Sequence, residues 1–95
     1  MIIVAGYALV DPRDRDRYVA AFRDLVRAAR SAPGCLDVAM TADSVDAGRV
    51  NIFELWESQE PLDDWRANAP APDLDIEFDA KVMEYEVSRG KEPFS

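Results

Sequence analysis

The carboxylate of Glu54 and the indole of Trp56 stand two positions apart in the stretch NIFELWESQE, Asn51 to Glu60. In an extended strand, residues i and i+2 share a face, so the two groups would lie side by side. A carboxylate held beside an indole in a dry pocket takes up a proton more readily than one in water, which suits a general base near neutral pH. Glu54 has a second reading, in which it reaches the end of the sheet and pairs with an arginine. Trp56 on its own reads as a large core aromatic. The chain has no histidine and one cysteine, Cys35, so proton handling falls to carboxylates, tyrosines and that thiol. Tyr7 and Tyr85 could hydrogen-bond a phenolate or place their hydroxyls at the rim of a core. Asn51 could orient a substrate oxygen or satisfy hairpin backbone. The candidate catalytic set is therefore Glu54, Trp56 and Tyr85; the candidate substrate-binding set is Tyr7, Phe22, Asn51, Trp65 and Met83. Cys35 reads as a small buried thiol. Lack of histidine excludes a metal site of the usual imidazole kind, and no metal is expected.

Residues 2–10 are apolar on both faces of a predicted strand and carry no charge. Asp11 as N-cap, Pro12 in the first turn and Asp14 three residues on predict a helix start. Tyr18, Phe22, Leu25 and Ala29 then recur at helical spacing until Pro33 and Gly34 end the helix. A second strand follows in CLDVAMTAD, with Leu36, Val38 and Met40 on one face. SVDAG predicts a hairpin turning at Asp46 to Gly48. The third strand runs from about Arg49 to Glu57, and Ser58 caps a short helix on which Leu62 and Trp65 share a face. NAPAPDLD is rich in breakers, with one extra helical turn expected near Leu74. The last strand is expected over about Lys81 to Arg89, with Met83, Tyr85 and Val87 on one face. The order βαββαβ predicts one α+β domain over residues 1–95, residues 88–95 being a tail. Its fold would be a ferredoxin-like sandwich with antiparallel strand order 4-1-3-2. Two helices cover only one face of such a sheet. The apolar second face of strands one and three predicts a sheet-to-sheet homodimer, a dimeric α/β barrel.

Eleven Lys and Arg against 19 Asp and Glu give a net charge of −8, which disfavours nucleic acid and anionic membranes as partners. Six of the basic residues fall between Arg13 and Arg30, interspersed with acids, and read as the solvated face of a helix. The opening MIIVAGYALV lacks the basic start and cleavage site of a signal peptide and is too short to span a bilayer. With a lone cysteine, a reducing cytoplasm is the expected setting.

APGCLDVAMTAD followed by NIFELWESQEPLDDW resembles the antibiotic-biosynthesis monooxygenase family, also called quinol-monooxygenase-like, of the dimeric α/β-barrel superfamily. Pro33-Gly34-Cys35-Leu36 and Glu54-x-Trp56-Glu57 running into Ser58 carry the likeness. The resemblance implies a dimer with one pocket per subunit between sheet and helices. It also implies oxidation of an aromatic polyphenol or quinol by O2 without metal or flavin, so no cofactor is expected. It turns Trp56 into a pocket wall that stacks on the substrate and donates one hydrogen bond. A base then has a clear task, since a deprotonated quinol can pass an electron to oxygen. The heme-degrading branch of the family uses an asparagine on strand one and a histidine on the second helix. This chain offers Gly6 and Tyr7 on the strand and Trp65 on the helix, which disfavours heme chemistry. An isomerase or cyclase of the same superfamily, and a non-catalytic small-ligand-binding dimer module, stay open.

Overall fold

The structure, a computed structural model, describes residues 1–93; Phe94 and Ser95 of the predicted tail lie outside the described residues. Uncharged, β-branched sequence forms β1 (Ile2–Val10) at the centre of the sheet. On one side it pairs antiparallel with β3 (Arg49–Trp56), Ile2 opposite Trp56 and Gly6 opposite Ile52. On the other side it pairs with β4 (Phe78–Glu86), Gly6 opposite Val82. β2 (Cys35–Ala42) borders β3. The order β2-β3-β1-β4 is the predicted 4-1-3-2 read from the other edge.

Alternation assigns the faces. Even-numbered residues of β1 and β3 meet the helices, and Val4, Ala8, Val50 and Trp56 are buried there. The helix layer is α1 (Arg15–Ala21), α2 (Arg23–Arg30) and α3 (Gln59–Asn68). Asp11 starts the first helical segment by accepting the Arg13 N–H at 3.0 Å, in a 3-10 turn over Pro12–Asp14. The Asp14 carboxylate binds Arg17 at 3.2 Å rather than reaching back to close a capping box.

The one helix expected from Pro12 to the stop at Pro33 and Gly34 breaks at Phe22, whose N–H turns to the Val19 carbonyl at 3.2 Å. The break serves two apolar clusters. Tyr18 of α1 packs with Ala8, Val10, Val50 and Ile76, whereas Ala29 of α2 packs with Ile2, Val4, Val38, Trp56 and Leu62. Gly34, at φ +80°, makes the turn into β2, and a Cβ there would collide with the Pro61 ring.

Three further expectations are corrected. A β-bulge between Cys35 and Asp37 displaces Leu36 from the Val38 and Met40 face and leaves it 49% exposed. Residues 69–77 form no helical turn near Leu74; the segment runs irregularly and packs Leu74 and Ile76 against the Tyr18 cluster. β4 starts at Phe78 and ends at Glu86, three residues earlier at each end than expected. Ser58 does occupy the N-cap of α3, without a side-chain cap bond.

Candidate functional site

Glu54 and Trp56 share the helix-facing side of β3, and the indole Nε1–H donates to Glu54 Oε1 at 2.9 Å. Among the described residues this is the carboxylate's one partner; no arginine or lysine pairs with it. Its cross-strand neighbours are Val4 on β1 and Val38 on β2. A cavity of about 50 Å³ lies against it, walled by Leu25 and Val26 of α2, Met40, Ile52 and Trp65 among others. Glu54 is the only ionisable group in that lining. Placed so, the carboxylate can accept a proton from a group entering the cavity, while the indole N–H fixes its rotamer.

Trp56 itself is fully buried. Its N–H is engaged by Glu54 and its ring packs at 6.3 Å, tilted by 31°, against Trp65. The indole thus orients the carboxylate from below, and Trp65 is the aromatic that reaches the cavity. Cys35 sits opposite Trp56. Burial pushes its thiol pKa up, and the negative charges of Glu54 and Asp37 push it further, so it stays protonated and unreactive at neutral pH.

The eight predicted site residues do not gather in one place. Glu54, Trp56 and Trp65 meet on the helix side, and Phe22 lies on that side in the neighbouring cluster, 4.9 Å from the Tyr18 ring. Tyr7, Asn51, Met83 and Tyr85 occupy odd positions and face the open side of the sheet. There the Arg49 guanidinium lies 4.1 Å over the Tyr7 ring. Arg49 also donates to Asn51 Oδ1 at 2.7 Å, and Asn51 donates to Asp43 at 2.9 Å. Asn51 therefore serves the hairpin. Met83 and Tyr85 lie across from Ala5 and Ile3, with the thickness of the sheet between Tyr85 and Glu54. Sequence reasoning did not single out Val26, Met40 and Ile52 as cavity walls. Their apolar spacing was visible, but which of them would border a void depends on how α2 sits.

Against this geometry stand the comparisons with known proteins. The sequence profile for antibiotic biosynthesis monooxygenase matches residues 1–73. The chain belongs to the antibiotic biosynthesis monooxygenase family. The matched region carries β1 through α3 and stops before β4. An uncharacterised protein of Synechocystis sp. is 29% identical over 62 residues; the match takes 65% of this chain and 42% of that protein's length. Among solved structures, a Deinococcus radiodurans protein assigned as an antibiotic biosynthesis monooxygenase superposes with a TM-score of 0.73 at 18% identity, all of both chains covered. The heme-degrader MhuD of Mycobacterium tuberculosis, solved with two hemes bound in its active site, gives 0.72 at 16% identity, covering 97% of this chain and 100% of that one. At such identities these structures establish the shared fold of the family. Among the described residues, no helix is long and apolar enough to cross a membrane.

Proposed function

We propose that this member of the antibiotic biosynthesis monooxygenase family is a cofactor-independent monooxygenase. It would oxidise an aromatic polyphenol or quinol with O2, in the cytoplasm and as a homodimer joined through the open face of the sheet. The observation that carries the reading is the Glu54 carboxylate, free of any basic partner among the described residues, held by an indole N–H at the wall of an apolar cavity. Loss of a phenolic proton to Glu54 leaves a phenolate that passes one electron to O2. Recombination of the radical pair forms a carbon–oxygen bond, and loss of water leaves the quinone. Exclusion of bulk water protects the pair. The substrate supplies all four electrons, so the balance needs no external reductant.

The cavity of about 50 Å³ accommodates dioxygen or water but no aromatic ring; small-molecule sites commonly measure about 300–1,000 Å³. The ring therefore reaches Glu54 only when α2 or Trp65 gives way, and the break at Phe22 is where α2 can move independently of α1. The same observation favours a second reading, a dimeric binding module without turnover, because Trp56 and Trp65 fill the centre of the site. Oxygen uptake with a panel of hydroquinones decides between them. Enzyme-dependent uptake that collapses in Glu54→Gln supports oxygenation. Saturable binding without uptake in the unaltered protein would overturn it.

A further inference from the structure

Along the outer edge of β2, against α1 and α2, runs a groove of about 440 Å³. Arg23, Arg27 and Arg30 line it and no carboxylate does, on a chain where acids outnumber Lys and Arg by 19 to 11. Val19, Val26 and Met40 give it an apolar floor. Val26 and Met40 also wall the cavity beside Glu54, so the two spaces share those side chains as their partition.

The three guanidinium groups are differently occupied. Arg23 has no hydrogen bond or ion pair among the described residues. Arg27 pairs with Asp24 at 3.1 Å, but Asp24 is 92% exposed, and such a surface pair contributes little and exchanges readily. Arg30 is anchored through Nε, which donates to the Val38 carbonyl at 2.8 Å, with Asp37 at 3.9 Å. That bond fixes the planar fork and leaves its terminal nitrogens to a ligand. Guanidinium forks match a carboxylate bidentately, and an apolar floor beside them suits a ring.

We propose that this groove docks the carboxylate of an aromatic acid, with the ring lying over Val26 and Met40 and turned toward Glu54. The substrate is then an anionic polyphenol rather than a neutral quinol. The link to turnover rests on the oxygenase reading of Glu54; the groove's preference for a carboxylate does not.

The test is a pair of anaerobic calorimetric titrations of the full chain, with 2,5-dihydroxybenzoate and with hydroquinone. The two differ by one carboxylate, and without oxygen neither turns over. The expected result is at least about tenfold tighter binding of the acid, narrowed in high salt because the attraction is screened. In the double variant Arg23→Gln/Arg27→Gln the preference should shrink to what Arg30 alone supplies, a loss of at least about threefold, with hydroquinone binding as the reference. Both side chains are exposed and glutamine keeps helix propensity, and a thermal melt verifies folding. Equal affinities, no measurable binding of the acid, or a preference undiminished by the double substitution would each overturn the proposal. So would displacement of the acid by inorganic phosphate at equal concentration, which marks a site for a free anion. Oxygen uptake is measured separately on the same two compounds. Selective binding of the acid without uptake sinks the oxygenase reading and leaves the groove assignment standing.

Discussion

Glu54 is flanked across the sheet by two valines and bonded to one indole, so the roles of the carboxylate and of the indole can be separated by substitution. Glu54→Gln keeps shape and the acceptor for Trp56 while removing the base. Turnover should fall by about 10²–10⁴-fold with ligand affinity nearly unchanged, read as a drop in kcat at constant KM in oxygen-uptake assays. Trp56→Phe removes the N–H that orients the carboxylate and leaves a space in the core. It should lower kcat and cost about 1–3 kcal/mol of stability, below the range for truncating a buried aromatic to alanine, read as a drop in melting temperature. The pairing of these two residues was legible because i and i+2 share a face in any strand. The same rule puts Asn51 on the opposite face of β3, but the separation of Tyr7, Met83 and Tyr85 from the pair was not legible. Parity within a strand follows from sequence, but which parity of β1 and β4 matches Glu54 depends on the register that sets Ile2 opposite Trp56 and Glu86.

At the scale of elements, the β2–β3 hairpin is stapled by Asp43. Its carboxylate accepts the backbone N–H groups of Asp46 at 2.8 Å and Val45 at 3.1 Å and the Asn51 amide at 2.9 Å. The Asp46 N–H bond foremost, then Asn51 and Val45, lower its pKa from 3.8 to about 2. A depressed folded-state pKa adds stability above the unfolded value and loses it as pH falls toward the folded one. Asp43→Asn should therefore melt below the unaltered protein at neutral pH, and the gap should close between about pH 4 and pH 2 in melts across that range. β4 depends on Gly6, because a Cβ there would strike the Lys81 carbonyl oxygen and lie 2.7 Å from the Val82 Cα. Gly6→Ala should displace β4 and cost about 1–3 kcal/mol or more, visible as early hydrogen exchange across Val82–Tyr85. Strand order could be read ahead of the structure because β1 and β3 are apolar on both faces, as central strands are. The start of β4 could not. Every residue of β4 is exposed, and its alternation changes phase: Phe78, Ala80 and Val82 are the apolar set up to Val82, Met83 and Tyr85 after it, so the second half reads as a strand by itself.

The whole chain exposes 6578 Å², against roughly 5,500 Å² for a compact monomer of this mass by size scaling. Its Cα radius of gyration is 14.0 Å, where about 12.4 Å is usual for this length. The sheet face without helices contributes to both, with Leu9 and Phe53 each 37% exposed and Met83 63%. A standard interface takes about 800 Å² from each partner, an area comparable to the excess. Phe53→Lys, at the centre of that face opposite Ala5 and Ala39, should leave a folded monomer, and sedimentation equilibrium at micromolar concentration measures the change. A folded monomer in the unaltered protein would instead leave the open face without its proposed partner.

The principal extents of 39 × 34 × 19 Å describe a plate. Two plates stacked broad face to broad face make a body about as thick as it is wide, so pairing would round the particle as it doubles the mass. Drag in water depends on shape as well as size, and a rounder particle meets less of it per dalton. The dimer should therefore diffuse faster than a particle that doubled its mass while keeping the plate's proportions. Its rotation should also become nearly uniform about all three axes, whereas the Phe53→Lys plate tumbles unevenly, a difference that nuclear spin relaxation along differently oriented N–H bonds resolves.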